Sequence, residues 1–408
     1  MALLKRFQTV RRQYEHMKSL GVDPFGIKME KLLSPTEAII NGRKTILIGT
    51  NNYLGLTFDP RCQAASAETA YLSGTGTTGS RIANGSYAEH TTLESDLADF
   101  YGKKQAMVFS TGYQANLGII STIAGPDDFL LLDADSHASI YDGAKLGTAT
   151  VIRFRHNDPN DLDRRLNALQ DKPGNKIIVL EGIYSMLGDK APLTDFVAVK
   201  KKYANAYIVL DEAHSMGVLG QTGRGLCQEE NVEADIDFIV GTFSKSLGAV
   251  GGFCVSDSPE FDLLRLVCRP YMFTASLPPA TIASVKTALR IIQQEPQLRY
   301  RLWQNVEFFY NQLAQLGFRL GKNKSPVVPI YLPNVEVGTL FWQNLLKNGV
   351  YANIVMPPAT PMGTVLLRCS ICSAHERQQL QKVVDILKKT AEEVGYFAIH
   401  TQQKFAVA

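Results

Sequence analysis

The feature that most constrains the fold is a series of short apolar segments in the middle of the chain. They are rich in Val, Ile, Leu and Phe, and they alternate with helical stretches between about residues 60 and 290. The segments are residues 106–110, 129–133, 176–181, 206–211 and 238–242. Strands that are covered by helices on both faces have such continuous apolar sequences. The pattern therefore predicts a doubly wound α/β domain with a mostly parallel sheet.

Each of these predicted strands ends in a polar residue. The five end residues are Ser110, Asp133, Glu181, Asp211 and Thr242. The carboxyl ends of parallel strands meet at one edge of a sheet, and the functional crevice of open α/β sheets lies there. We therefore expect the functional site at this edge.

The remainder of the chain predicts two smaller regions. Residues 1–60 would form an N-terminal arm, with a basic helix over 1–20 and a short strand at 44–50. Residues 61–290 would form the large domain. Residues 291–408 would form a smaller α+β C-terminal domain with strands near 327–332 and 364–371 and a helix over 373–394.

Composition excludes several classes of protein. The chain has 42 Lys and Arg against 39 Asp and Glu, a balance that gives nucleic-acid binding no electrostatic support. No stretch approaches the ~18 apolar residues of a membrane span, and the first residues lack a signal-peptide pattern. Six scattered cysteines do not make a disulfide framework. We expect a cytoplasmic enzyme or binding protein.

The basic first helix leaves one alternative open for localisation. Lys5, Arg6, Arg11, Arg12 and Lys18 are typical of a helix that lies on an anionic surface. Weak peripheral contact with the inner membrane is therefore a hypothesis. A solvated arm that packs on a neighbouring subunit is the favoured interpretation.

Two motifs favour structural interpretations over the functions that they suggest at first sight. Gly74-x-Gly76-x-x-Gly79 follows a helical segment, whereas a dinucleotide-binding glycine pattern directly follows a strand. A flexible glycine-rich loop at an active site fits it better. Cys369 and Cys372 lie in a strand pattern without a second cysteine pair, so neither a redox motif nor a zinc site is indicated.

A carboxylate, an imidazole, hydroxyls and a lysine follow two of the predicted strands. Asp211 ends one strand and is followed by His214, while Thr242, Ser244 and Lys245 follow another. A structural ion pair between Asp211 and Lys245 is one interpretation. The whole set suits pyridoxal phosphate, which requires a lysine for its Schiff base and an acid against its pyridinium nitrogen. Its phosphate also requires hydroxyl and backbone N–H donors.

At these residues the chain resembles the α-oxoamine synthase family of fold-type I pyridoxal-phosphate enzymes. The resemblance covers nearly the whole chain, from residues 49–55 (GTNNYLG) to Arg368 and His375. Residues 269–279 (RPYMFTASLPP) and 357–361 (PPATP) are similar to the soluble, homodimeric bacterial members that use L-serine. The resemblance implies an aspartate-aminotransferase-like fold with a large and a small domain.

The resemblance also implies roles at the cofactor ring. Lys245 resembles the lysine that forms the Schiff base and later moves the Cα proton, and such a lysine must be neutral to attack. Asp211 would keep the pyridine nitrogen protonated. His214 and Ser185 would contact the phenolic oxygen, and His137 would stack on the ring and touch the substrate carboxylate.

Further residues are implied at the cofactor phosphate. The backbone of Gly112 and Tyr113 and the hydroxyls of Thr242 and Ser244 would hold it. Thr274 and Ala275 resemble residues that reach the phosphate of the neighbouring subunit. The resemblance therefore implies an obligate homodimer with active sites at the subunit interface.

At the substrate, Arg368 resembles an arginine that grips the amino-acid carboxylate, for which a bidentate guanidinium is suited. Asn52 is a weaker candidate near the same group. The chain departs from some bacterial members at Met356, where they carry an arginine directly before PPATP. This departure leaves the choice of amino acid open.

The activity implied is a decarboxylative condensation of L-serine with a long-chain acyl-CoA such as palmitoyl-CoA. The products would be 3-ketodihydrosphingosine, CoA and CO2, the first step of sphingolipid synthesis. One alternative is another α-oxoamine synthase that uses glycine, alanine or a different amino acid, including one that makes an acyl-aminoketone signal. A catalytically inactive partner subunit is a second alternative, which the presence of Lys245 disfavours.

Overall fold

The computed structural model describes residues 2–19, 21, 23, 26–357, 360 and 363–398 of the 408-residue chain. The chain forms two compact units. The large unit consists of residues 51–185 and 189–302. The small unit consists of the described residues within 1–50, 186–188 and 303–408. The domain limits at residues 60 and 290 that the sequence suggested stay a prediction.

The strands of the described residues are β1 Lys31–Ser34, β2 Glu37–Ile40, β3 Arg43–Leu47, β4 Gln105–Phe109, β5 Phe129–Asp133, β6 Thr150–Phe154, β7 Lys176–Glu181, β8 Ala206–Asp211, β9 Phe238–Thr242, β10 Gly252–Ser256, β11 Val327–Leu332, β12 Val350–Tyr351, β13 Asn353–Val355 and β14 Val365–Ser370. Their α-helices are α1 Gln8–Ser19, α2 Pro60–Ser73, α3 Ala88–Tyr101, α4 Gly112–Ile123, α5 Ala138–Leu146, α6 Pro159–Asn167, α7 Leu193–Lys200, α8 Leu226–Glu229, α9 Arg269–Met272, α10 Pro279–Gln294, α11 Gln297–Gln315, α12 Val335–Lys347 and α13 Arg377–Glu393.

The large unit is built on a sheet with the strand order β4-β10-β9-β8-β7-β5-β6. Strand β10 runs antiparallel to both of its neighbours, and the other neighbouring pairs are parallel. This mostly parallel sheet confirms the α/β fold class predicted from the sequence. Four of the five predicted strands have the predicted bounds, and the fifth is shifted by one residue to Gln105–Phe109.

The central strands are apolar throughout because both faces of the sheet are covered. All six residues of β7 are buried. On one face, Val179 packs in a core with Ile119 of α4 and Ile140 of α5. Ile178 and Leu180, which point to the other face, are also fully buried. Alternating side chains point to opposite faces of a strand, so a strand that is buried on both faces needs an unbroken apolar run.

Two strands of this sheet were missed by the sequence analysis. Strand β6 lies at the sheet edge, and most of its residues are exposed or half-buried, so it lacks the apolar run of the others. Strand β10 begins at Gly252, shortly after the segment that carries Ser244 and Lys245. A Cβ on Gly252 would lie 2.5 Å from Gly112 Cα, so this strand begins where two backbones approach closely.

The small unit contains two sheets. One has the order β1-β2-β3-β12, and the other is antiparallel with the order β11-β14-β13. Cys369 on β14 and the nearby Cys372 are buried and are not joined in a disulfide. Burial raises the pKa of Cys369 to about 12, as expected for an inert structural thiol.

The glycine-rich segment directly follows a helix, as the sequence predicted. Helix α2 ends at Ser73, and Gly74 has a φ of +79°, a conformation that L side chains rarely adopt. Ser276 donates its backbone N–H to Gly79 O at 2.9 Å and its hydroxyl to Gly85 O at 2.6 Å. The segment is therefore tied to the stretch that carries Thr274 and Ala275.

Among the described residues, none of the helices is both long enough and apolar enough to cross a membrane.

Candidate active site

A cavity of about 270 Å³ opens at the edge of the large unit where the parallel strands end. Register places the last residues of β7 and β8 side by side, because Glu181 is opposite Asp211. Thr242, the last residue of β9, is opposite Gly252, the first residue of the antiparallel strand β10. Eight of the residues predicted from the sequence line this cavity. They are Gly112, Tyr113, His137, Asp211, His214, Thr242, Ser244 and Lys245.

One end of the cavity has the groups expected of an anion site. Helix α4 begins here, and Thr111 caps it by accepting the Gln114 N–H at 3.1 Å. A Cβ on Gly112 would lie 2.7 Å from Thr242 Cβ, so this position requires glycine. Thr242 Oγ1 accepts the Ser244 N–H at 3.2 Å. Free N–H groups at a helix start together with two hydroxyls can hold a phosphate.

Asp211 is a buried carboxylate with a fixed orientation. Its Oδ2 accepts a hydrogen bond from Asn116 Nδ2 at 2.6 Å, and its Oδ1 accepts the Ala213 N–H at 2.8 Å. Asn116 Nδ2 also lies 3.1 Å from Ser139 Oγ. Asn116 Oδ1 has no hydrogen-bond partner among the described residues. A buried amide oxygen without a partner beside a held carboxylate is consistent with a site shaped for a polar ligand.

His137 is the residue before helix α5 and is held at both its backbone and its ring. Its Nδ1 accepts the Ser139 N–H at 3.2 Å and lies 2.8 Å from Ser139 Oγ. Burial lowers the pKa of His137; Lys245 adds to this effect, and Asp211 opposes it. The imidazole is therefore neutral near pH 7, and its single proton is on Nε2, because Nδ1 acts as an acceptor.

His214 is oriented by a tyrosine that the sequence analysis did not select. Tyr53 OH lies 2.6 Å from His214 Nδ1, and both side chains are buried. Tyr53 belongs to the GTNNYLG segment, in which only Asn52 was selected. The missed signal was the buried aromatic residue with a hydroxyl, which requires a polar partner.

A histidine outside the cavity fixes the loop that carries Ser185. His156 Nδ1 lies 2.8 Å from Asp133 Oδ1, and its Nε2 lies 2.7 Å from Asp189 Oδ2. Its ring packs edge-on against Tyr184, at 4.5 Å between centroids. Burial alone would lower the pKa of His156, but its hydrogen bonds to the two carboxylates raise it to about 10. His156 is thus a cation near pH 7.

Four other predicted residues do not line this cavity, and a fifth belongs to the small unit. Thr274 Oγ1 accepts from Gln114 Nε2 at 3.1 Å, and Ala275 O accepts from Ser110 Oγ at 2.5 Å. Asn52 donates to Thr57 Oγ1 at 2.7 Å, and Ser185 is half-buried. In the small unit, Arg368 is buried on β14, and its Nη1 donates to Ser370 Oγ at 3.0 Å.

The segment that carries PPATP is described only in part. Met356, Pro357 and Thr360 are among the described residues, whereas residues 358, 359 and 361 lie outside them.

Among the described residues, no group of His, Cys, Asp or Glu could hold a metal ion.

Comparison with known proteins assigns the chain to a family. Residues 43–387 match the model of the aminotransferase class I and II family. The chain belongs to this family.

Two curated relatives and one solved structure are similar over nearly the whole chain. The serine palmitoyltransferase of Caulobacter vibrioides is 55% identical, over 97% of this chain and 96% of the relative. That of Sphingomonas paucimobilis is 50% identical, over 96% of this chain and 94% of the relative. A solved serine palmitoyltransferase with its PLP internal aldimine superposes with a TM-score of 0.94 at 50% identity, over 97% of this chain and 99% of that one.

Replacing His156 by Asn should destabilise the protein in a pH-dependent way. Because the pKa of His156 is raised in the folded protein, its imidazole keeps a proton at pH values above about 6.5, where the same group in the unfolded chain has lost it. The stabilisation is therefore complete below about pH 6.5 and is lost as the pH rises toward 10. We expect His156→Asn to lower the free energy of unfolding by about 2–4 kcal/mol near pH 6 and by much less near pH 9.5.

Urea unfolding at the two pH values measures this difference. The control is His16→Asn, on the exposed surface of α1, which should change neither value. An equal loss of stability at both pH values would contradict the assignment of a charged His156.

Proposed function

We propose that the chain is a pyridoxal-phosphate-dependent acyltransferase that condenses L-serine with palmitoyl-CoA. The products are 3-ketodihydrosphingosine, CoA and CO2. The observation that carries the proposal is the convergence of Lys245, Asp211 and His137 on one cavity of a chain that is 55% identical to a serine palmitoyltransferase. The alternative within the same family is another α-oxoamine synthase with a different amino acid or acyl donor.

The residues of the cavity fit pyridoxal phosphate. Lys245 is the amine for the Schiff base, and Asp211, fixed by two donors, is the acid for the pyridine nitrogen. His214 and Ser185 are assigned to the phenolic oxygen. The start of α4 with the hydroxyls of Thr242 and Ser244 suits the phosphate. When bound, the cofactor supplies an electron sink for negative charge at the substrate Cα.

Three side chains of this protein carry the proton and the substrate. Lys245 Nζ takes the Cα proton as a general base and returns it after decarboxylation. His137 Nε2–H donates to the amino-acid carboxylate, which must stay in place during the first step and leave as CO2 later. Arg368 pairs with the same carboxylate through its fork of donors. Because Nδ1 accepts the Ser139 N–H, Nε2–H is the one ring donor of a neutral His137 and is available for this carboxylate.

A titration of the purified protein with L-serine, followed by palmitoyl-CoA, tests the proposal. We expect a bound-cofactor absorbance band that shifts with L-serine, and release of free thiol when the thioester is added. Lys245→Ala should fold, bind the cofactor without the Schiff-base band and release no CoA, because it lacks the amine that moves the proton.

Glycine, alanine and threonine provide the comparison for amino-acid choice, which Met356 leaves open. A shift with glycine or alanine but not with serine would support the alternative synthase. Turnover by Lys245→Ala would contradict the role of Lys245, and a protein that binds no cofactor would contradict the proposed function itself.

We also propose that the enzyme is a homodimer with its active sites at the subunit interface. Apolar side chains near Thr274 are strongly exposed in the single chain, including Leu266 at 66% and Phe273 at 69%. Exposed apolar clusters of this kind are typical of interaction surfaces. Thr274 and Ala275 would then contact the phosphate held by the other subunit.

Mixing two inactive variants tests this shared site. Lys245→Ala and Thr274→Arg should each form a dimer with little activity. After unfolding and refolding together, a mixed dimer contains one site with neither substitution, so activity should return in roughly a quarter of the sites. The control is each variant refolded alone. A monomer in sedimentation equilibrium, or no return of activity in proven mixed dimers, would contradict the proposal.

We place the enzyme in the cytoplasm, with weak membrane contact through the N-terminal helix as a subordinate proposal. Leu3, Phe7 and Val10 are exposed there beside Arg6 and Arg11. We expect sedimentation with anionic vesicles at low salt to be weakened by Arg6→Glu with Arg11→Glu. Equal sedimentation of both proteins would remove the N-terminal helix from the proposal, and sedimentation of neither would remove membrane contact itself.

A further inference from the structure

Glu181 is a buried carboxyl group at the cavity to which the proposed mechanism gives no role. It is the last residue of β7, it is only 3% exposed, and it lines the cavity. Its partner in the sheet register is Asp211, the last residue of β8. Two carboxyl groups therefore end neighbouring strands at the same buried edge.

The contact that Glu181 makes is with the backbone of His137. Its Oε1 accepts the His137 N–H at 2.5 Å. Ser139 holds the Nδ1 side of the same imidazole through its N–H and hydroxyl. Glu181 thus fixes the position of the main chain from which the imidazole projects, while Ser139 fixes the rotation of the ring. Loss of either contact would leave the direction of Nε2–H less well defined.

The two carboxyl groups differ in the hydrogen bonds that support a negative charge. Asp211 accepts from both a backbone N–H and the Asn116 amide, whereas Glu181 Oε1 accepts from one backbone N–H. Like charges on neighbouring buried groups disfavour double ionisation. Burial and the charge of Asp211 hold the pKa of Glu181 well above its ordinary value. The titratable groups that act on Glu181 from the surrounding segments are His137, Asp211, Lys245, Asp133 and Tyr184.

We propose that Glu181 is a positioning residue that acts as an uncharged carboxyl group and anchors the backbone of His137 beside Asp211. Its effect on catalysis passes through His137, which orients the substrate carboxylate. This part rests on the proposed function. The charge state of Glu181 is a property of the folded chain and can be tested separately.

Substitution by Gln and by Ala distinguishes an uncharged anchor from an anion. Glu181→Gln keeps the carbonyl acceptor and the volume, so we expect kcat/KM for L-serine within roughly threefold of the parent and the same pH profile. Glu181→Ala leaves the His137 N–H without its acceptor, so we expect KM for L-serine to rise at least about tenfold, with a smaller change in kcat. The half-saturation point of the serine-dependent spectral shift should move with KM.

Glu212→Gln is the control for substitution of a buried carboxyl group outside the cavity. Glu212 accepts the N–H groups of Leu226 and Cys227 and is not among the residues that line the cavity. We expect this variant to unfold at lower temperature with an unchanged KM for L-serine. A Glu181→Gln enzyme as defective as Glu181→Ala would overturn the uncharged state, and equal effects of Glu181→Ala and Glu212→Gln on KM would overturn the positioning role.

Thermal unfolding of the purified full-length protein tests the charge state without turnover. A folded-state pKa above the unfolded value makes Glu181 cost stability as the pH rises above about 4.5, because only the unfolded chain ionises freely. Glu181→Gln removes this cost. We therefore expect the midpoint of Glu181→Gln to rise relative to that of the parent between about pH 5 and pH 8.

The opposite trend would be a parent whose unfolding midpoint rises relative to that of Glu181→Gln as the pH increases. This result would overturn the proposal even if Glu181→Ala fails to fold. A parent protein that shows the expected thermal trend but no spectral response to L-serine would contradict the proposed function and leave the charge state of Glu181 supported.

Discussion

The common direction of the parallel strands is the constraint on which the rest of the site depends. Strands β5, β7, β8 and β9 are hydrogen-bonded in parallel register, and each ends at the same edge of the sheet. Asp133, Glu181 and Asp211 are far apart in sequence. The register of the sheet therefore brings them to the same edge. The apolar runs that precede them hold this arrangement because their side chains pack into the core on both faces of the sheet.

The carboxyl groups at this edge of the sheet are chemically similar but differ in the hydrogen-bond donors around them. Burial alone opposes ionisation of every carboxyl group, so the donors around each one decide which keeps its charge. Asp211 has a backbone N–H and the Asn116 amide, and Asp133 accepts the Asn157 N–H beside cationic His156. Glu181 has a single N–H donor to its Oε1. The three strand ends therefore differ in the number of donors that can support a negative charge, and Glu181, between the other two, has the fewest.

The sequence predicted the groups that act on a ligand better than the groups that hold them. Lys245, Asp211 and His137 lie beside predicted strand ends, and a parallel sheet brings such positions together. Asn116 and Tyr53 were not predicted, because each contacts its partner across about a hundred residues or more and no local pattern records that pairing. Strand β6 was missed for a related reason: its exposed edge position removes the apolar run by which buried strands are recognised.

The residues that hold the functional side chains have a shared physical role. The loops that follow the strand ends contain many polar and glycine residues and have little apolar surface to bury, so packing alone cannot fix them to the accuracy that a reaction requires. Polar contacts do so instead: His156 ties the loop that carries Ser185 to β5, Tyr53 orients His214, and Glu181 anchors His137. Such contacts are strong only when buried and fully satisfied. The precision of the site therefore depends on residues that hold the functional side chains in position as well as on those side chains themselves.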